Sequence, residues 1–254
     1  MGLNNIADWL AANKLSLNIN KTKLLVFDKI KGDTPQFTLR FKDTLITSSS
    51  STKFLGVTID NKLSWQEHIT NVTKSVAKIS GVMNRLKYYI PSQTLLTIYN
   101  ALILPHLTYC ILLWGNSLPV TCKLLSYQKR AVRAIAKTKS PYAHTRPLFH
   151  DYNLLTLKDH YKYQLGIFLY RHNNDQLPSD LVSFFQFNSC HHNYPARGKD
   201  NLLQPLTNTV FAHSHVRSNG VSFWNSLNVN VRNAPNINIF KKYLKKLLLS
   251  SHVN

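Results

Sequence analysis

The chain has 254 residues, 44% of them hydrophobic, and carries 31 Lys and Arg against 11 Asp and Glu, a formal charge of +20. That is apolar material enough for a buried core in one or two domains, which excludes a chain disordered throughout. Acid is scarce: Glu67 is the single Glu and the ten Asp are scattered, with no DD, DxD or DxxE, so the clustered carboxylates of a two-metal nuclease or phosphoryl-transfer site are missing.

From the start of the chain, Leu3 to Ala12 reads as a short helix burying Leu3, Ile6, Trp9 and Leu10, and Leu24 to Phe27 reads as a strand. Gln36 to Phe41, with Phe37, Leu39 and Phe41 on one face, then a turn at Lys42-Asp43-Thr44 and the return Leu45-Ile46-Thr47, predict a hairpin. Lys53 to Ile59 is a further β stretch with Gly56 in its interior, the mark of a bulge or a close backbone approach. Ser64-Trp65-Gln66-Glu67 matches the capping box S-x-x-E, which gives the one Glu a structural task. The helix it opens extends to about Tyr89. Ile69, Val72, Val76, Ile79, Met83 and Leu86 form its core stripe, with Lys74, Lys78, Arg85 and Lys87 off that stripe.

Pro91-Ser92 begins the next helix, Leu95 to Leu104, and Pro105 interrupts it before Leu107 to Trp114. No Asp, Glu, Lys or Arg occurs from Tyr88 to Cys122, a length that could span a membrane. Asn100, Pro105, His106 and Thr108 favour a buried helical hairpin instead, and no stable membrane insertion is expected. Cys122 to Lys137 is a second amphipathic helix, with Leu124, Leu125, Ala131, Val132 and Ile135 inward and Lys129, Arg130, Arg133 and Lys137 outward. Thr156-Leu157-Lys158-Asp159 caps a helix to Arg171, and Asn238 caps a last one with Phe240, Tyr243, Leu244, Leu247 and Leu248 on its apolar face. Lys241, Lys242, Lys245 and Lys246 line its other face.

The charge is uneven. Residues 68–150 hold 11 Lys and Arg and no carboxylate, where a merely solvated surface intersperses both signs, and this predicts an electropositive face for phosphates. An anionic membrane surface is the other partner class. Dinucleotide, Walker and serine-hydrolase signatures are absent. Cys110, Cys122 and Cys190 show no CxxC spacing, which predicts a reducing compartment, and the N-terminus shows no secretory address. Cys190, His191, His192, His213 and His215 are zinc-competent side chains in a spacing that matches no standard zinc pattern, and read more simply as loop residues. Tyr88-Tyr89 and Tyr161-Lys162-Tyr163 set aromatics beside cations, which suits base stacking, though core packing explains such aromatics more often.

Several blocks in order carry a resemblance. Trp9-Leu10, Asn13-Lys14-Leu15-Ser16-Leu17-Asn18 with Lys21-Thr22-Lys23, Lys53-Phe54-Leu55-Gly56-Val57-Thr58-Ile59-Asp60 and Leu63-Ser64-Trp65 with His68-Ile69 resemble the reverse transcriptases of non-LTR retrotransposons, the jockey and CR1-like LINE elements. The resemblance continues through Pro105-His106-Leu107-Thr108-Tyr109, Ser218-Asn219-Gly220, Phe223-Trp224-Asn225-Ser226-Leu227 and the final Phe240-Lys241 helix.

The resemblance implies an α+β chain. Residues 1–63 would be a partial palm with a primer-grip hairpin, 64–145 a helical thumb, and 146–254 a mostly helical C-terminal region. It makes Lys21 the motif D lysine near the incoming nucleotide, with Lys14 and Lys23 as alternatives, and Phe54, Leu55 and Gly56, beside Lys53, the turn that holds a primer terminus. Lys74, Lys78, Arg85, Lys87, Lys129, Arg130 and Arg133 would grip an RNA and DNA template-primer duplex. The family's Tyr-x-Asp-Asp is absent, so no catalytic residue and no cofactor is expected in this chain, Mg²⁺ belonging to the full-length polymerase. Such a chain looks like a 3′ fragment whose partners include the missing N-terminal polymerase segments, located in nucleus or cytoplasm and not secreted. The alternatives are a non-catalytic basic nucleic-acid binder derived from such an element and a membrane-associated helical protein.

Overall fold

Local sequence builds two compact units, Met1–Thr70 and Asn71–Asn254. The computed structural model describes residues 3–27, 36–41, 44–140, 142–188, 201–206 and 216–250. It is α+β, two small antiparallel hairpins followed by helices, as the sequence predicts.

The first unit begins with α1 (Leu3–Ala12), closed at Asn13, whose side-chain amide donates to Trp9 O. Its expected burial fails: Ile6 and Trp9 are exposed and Leu10 is half-buried, while the side chain of Leu3 lies outside the described residues. Two-stranded hairpins offer little sheet to pack on, and Phe37, Leu39 and Leu45 of the first hairpin are themselves exposed. That hairpin pairs β1 (Thr38–Phe41) with β2 (Thr44–Thr47), burying Phe41 and Ile46; Lys42-Asp43 lies outside the described residues. Leu24 forms only an isolated bridge to Ser48, so the expected strand from Leu24 to Phe27 is reduced to one pairing.

The stretch Lys53 to Ile59 is two strands. β3 (Ser51–Phe54) pairs with β4 (Val57–Asp60), and Leu55-Gly56 is the turn between them. Both turn residues have positive φ, 45° and 84°, which a two-residue type I′ hairpin requires and which Gly adopts without a Cβ penalty. Gly56 is therefore a turn residue, not an interior bulge.

The helix α2 (Gln66–Leu86) carries residues of both units. Its start departs from the capping box. Ser64 Oγ accepts from Gln66 N at 3.4 Å, and the Ser64 amide that the box assigns to Glu67 donates to Asp60 Oδ1 at 2.9 Å. Asp60 also accepts from the Lys62 and Trp65 amides and the Ser64 hydroxyl, so an aspartate at the end of β4 organises the entry into the helix. Thr58 N donates to His68 Nδ1 at 3.4 Å, tying β4 to the first turn.

In the second unit the helical run is α3 (Ser92–Ile98), a π-helical turn Tyr99–Ile103 and α4 (Leu104–Thr108). Pro105 does not interrupt it: the π turn just before it re-spaces the ladder that a proline cannot complete. The break falls later, at Cys110 with φ 50°, before α5 (Ile111–Trp114). Among the described residues no helix is long and apolar enough to cross a membrane. There follow α6 (Leu118–Ile135), α7 (Arg146–Asp151), α8 (Leu157–Asn173), α9 (Ser179–Val182), α10 (Val216–Ser226), α11 (Val229–Arg232) and α12 (Ile237–Ser250). The expected boundary after residue 145 falls inside this unit.

α8 is the hub, packed against α4, α5, α10 and α12 and buried on more than one face. The Thr156 side chain caps it by accepting from Asp159 N, as the sequence predicts. Its crossing with α12 depends on Gly166: a Cβ there would stand 2.5 Å from Leu244 Cδ2. Nearby, Tyr170 stacks on Phe240 with centroids 4.5 Å apart and donates its hydroxyl to Ala234 O. The cap of α12 is Asn236, two residues before the expected Asn238; its Oδ1 accepts from the amides of Asn238 and Ile239.

Candidate nucleic-acid interface

α6 is the element on which cations converge. Leu124, Ala131, Val132 and Ile135 are buried on one side, and with them Gln128, a polar residue fully out of solvent. Its amide donates to Tyr99 Oη (2.8 Å) and Leu155 O (3.0 Å), and its Oε1 accepts from Leu157 N (2.9 Å). One side chain thereby fixes α6 to the π turn and to the start of α8, with every polar atom satisfied.

The opposite side of α6 faces a cavity of about 660 Å³ lined by Lys87, Lys123, Arg130, Arg133 and Lys139, together with Asn84, Ser126, Tyr127, Thr138 and Ser140. Among the described residues five cations and no carboxylate line it, a site whose potential accumulates one sign. A second cavity of about 320 Å³ opens on the adjacent face, where Lys129 and Lys158 join Arg133. The cations are held open by local bonds. Arg133 Nε donates to Ala143 O (2.9 Å) and Lys87 Nζ to Thr138 O (3.1 Å), so the loop after α6 is pinned around the cavity.

Of the predicted residues, Arg130 and Arg133 line the larger cavity and Lys129 and Arg133 the smaller. Lys87 lies beyond the end of α2 and is buried, bonded to Thr138, so it holds the loop rather than standing free on a cationic helix face. Lys74, Lys78 and Arg85 form an exposed stripe on α2, with Gly81 between them over open space. In the first unit Lys53, Phe54, Leu55 and Gly56 are exposed at the hairpin tip, and Lys21 is exposed in a short 3₁₀ turn, Ile19–Lys21, capped by Asn18. Lys14 and Lys23 are exposed too.

Lys123, Lys139, Tyr127 and Lys158 went unpredicted. Lys123, Ser126, Tyr127, Arg130 and Arg133 recur at three- and four-residue steps, one helical face that was legible as a polar stripe. Lys139 was not legible, because only the folded loop returns it to α6. The aromatic pairs divide cleanly: Tyr88 and Tyr89 are exposed, whereas Tyr161 is core.

Among the described residues no group of three or more His, Cys, Asp or Glu side chains stands together; Asp60 is occupied by loop amides, and Asp159 is buried in the α8 cap. Cys190, His191, His192, His213 and His215 lie outside the described residues. Comparison of the chain with protein-family models, with curated proteins and with solved structures gives no match.

Proposed function

We propose that this chain is a nucleic-acid contact region, the palm remnant, thumb and C-terminal part of a LINE-type reverse transcriptase, which holds template-primer by its cationic surface and performs no polymerisation alone. The observation that supports it is the larger cavity on α6, with five cations, no acid and a helix that supplies Lys123, Arg130 and Arg133 to it. Phosphate oxygens are the ligands that such a site attracts, and lysine and arginine side chains reach them without needing a particular base.

The reverse-transcriptase assignment rests on the order of sequence blocks, and the exposed Phe54-Leu55-Gly56 hairpin tip agrees with a primer-contacting turn. Without a Tyr-x-Asp-Asp the chain has no group to activate a primer 3′-hydroxyl. Nucleotide addition therefore belongs to upstream segments of the parent protein.

The contact role is tested by Lys123→Ala/Arg130→Ala/Lys139→Ala, three cavity cations that do not take part in the bonds pinning the loop. The triple variant should keep its thermal midpoint and lose about 10-fold or more in affinity for an RNA–DNA template-primer with an unpaired template overhang at low salt; unchanged affinity contradicts the reading. Parentage is tested by sequencing the genomic DNA and transcript immediately upstream of Met1. An in-frame Tyr-x-Asp-Asp is the expected result, and a promoter and start codon without one would make the chain a stand-alone nucleic-acid binder.

A further inference from the structure

Three aromatic side chains in the chain segments that flank the cavity have most of their surface in solvent: Tyr88 at 77%, Tyr89 at 84% and Tyr142 at 89% exposure. Folding leaves aromatic surface on this scale uncovered at a cost, since it is the side-chain type with most to gain from burial. Two of them adjoin residues of the cavity's lining. Tyr88 lies under the Lys87 ammonium, 5.0 Å from ring centroid to Nζ, and Lys87 lines the cavity. Tyr89 follows it in the turn that closes α2, where its amide donates to Leu86 O. Tyr142 N donates to Ser140 Oγ at 3.2 Å, and Ser140 also lines the cavity. Tyr127 adds a fourth ring within the wall.

Cations alone fit any polyanion, and a duplex presents its phosphates outward with its bases stacked inside. Exposed rings beside the cations have no use for paired bases. They match a strand whose bases are unpaired, because each base then offers a π-face to a tyrosine while its phosphate meets a lysine or arginine. From this juxtaposition we propose that the α6 cavity, with Tyr127 in its wall and the tyrosines that flank it, takes single-stranded nucleic acid, in preference to a duplex. This inference rests on the nucleic-acid reading above and assigns that surface one part of the template-primer: its unpaired template strand, rather than the paired region.

The full chain would be titrated, by fluorescence anisotropy, with a labelled oligo-dT of about 20 nucleotides and with a duplex of the same length. The expected result is tighter binding of the single strand. Tyr88→Leu/Tyr89→Leu/Tyr142→Leu should weaken it by about 10-fold or more while leaving duplex affinity within about twofold, and the corresponding Tyr→Phe changes should restore it, since the ring rather than the hydroxyl stacks. All three positions are exposed, so the variants do not challenge the core. Equal or tighter duplex binding, or a single-strand affinity indifferent to the three leucines, overturns the single-strand assignment and leaves the nucleic-acid reading standing. Binding of neither oligonucleotide, with sedimentation on phosphatidylserine vesicles, overturns both.

Discussion

At the scale of single residues, the side chains that shape the interface are those whose bonds the sequence does not display. Gln128 carries no mark in the sequence, and the structure makes it the buried fastener between α6, Tyr99 and the start of α8. Gln128→Ala should destabilise the chain by about 2–4 kcal/mol, because it leaves the Leu157 amide and the Leu155 carbonyl buried without this partner; a denaturant midpoint measures it. Lys87 shows the reverse lesson. Its charge was legible, its location past the helix end was not, and burial turned a predicted contact cation into a loop anchor. His160 supplies a pH dependence. Burial pushes its imidazole down to about 4 from the ordinary 6.5, with Asp159 pulling upward and Lys245 pressing further down. The unfolded chain therefore takes up this proton first as pH falls, so the His160 contribution is complete above about pH 6.5 and is lost progressively towards pH 4, by up to about 3 kcal/mol. Urea midpoints between pH 7 and 4 should fall, and His160→Gln should flatten that part of the profile.

At the scale of elements, helices with one apolar stripe were readable and contacts between elements were not. The buried faces of α2 and α12 follow their three- and four-residue periodicity, with Val72, Val76, Met83, Phe240, Leu244 and Leu248 inward as expected, while Tyr243 and Leu247, at the edge of the α12 stripe, stay exposed. α1 has the same periodicity and fails to bury it, since a stripe becomes a core only when another element covers it. The Lys53 to Ile59 segment reads as one strand by composition, and only the pair of positive φ angles at Leu55 and Gly56 makes it two. Gly166 marks the tightest crossing between elements. Gly166→Val places branched carbon where Leu244 already stands and should lower stability by about 2–3 kcal/mol through overpacking of α8 against α12, read as a drop in thermal midpoint. An unchanged midpoint would show that this crossing relaxes freely.

At the scale of the whole molecule, the long carboxylate-free stretch was the clearest message in the sequence, and the described structure gathers five of the chain's cations around one cavity on α6. The cavity itself was only partly legible. Arg130 and Arg133 could be placed from helical spacing, while Lys139 and Ser140 reach it through a loop whose return is fixed by Arg133 and Lys87. Fold class was readable because helix and hairpin signals are local; the site was less so because it depends on long-range closure. The most direct test of the central claim is the salt dependence of nucleic-acid binding by the intact chain. Log affinity should fall linearly with log salt, with a steep negative slope that becomes shallower by about 2–3 in Lys123→Ala/Arg130→Ala/Lys139→Ala. Binding that ignores salt, or a slope the three substitutions leave unchanged, would contradict a phosphate-gripping cavity on α6.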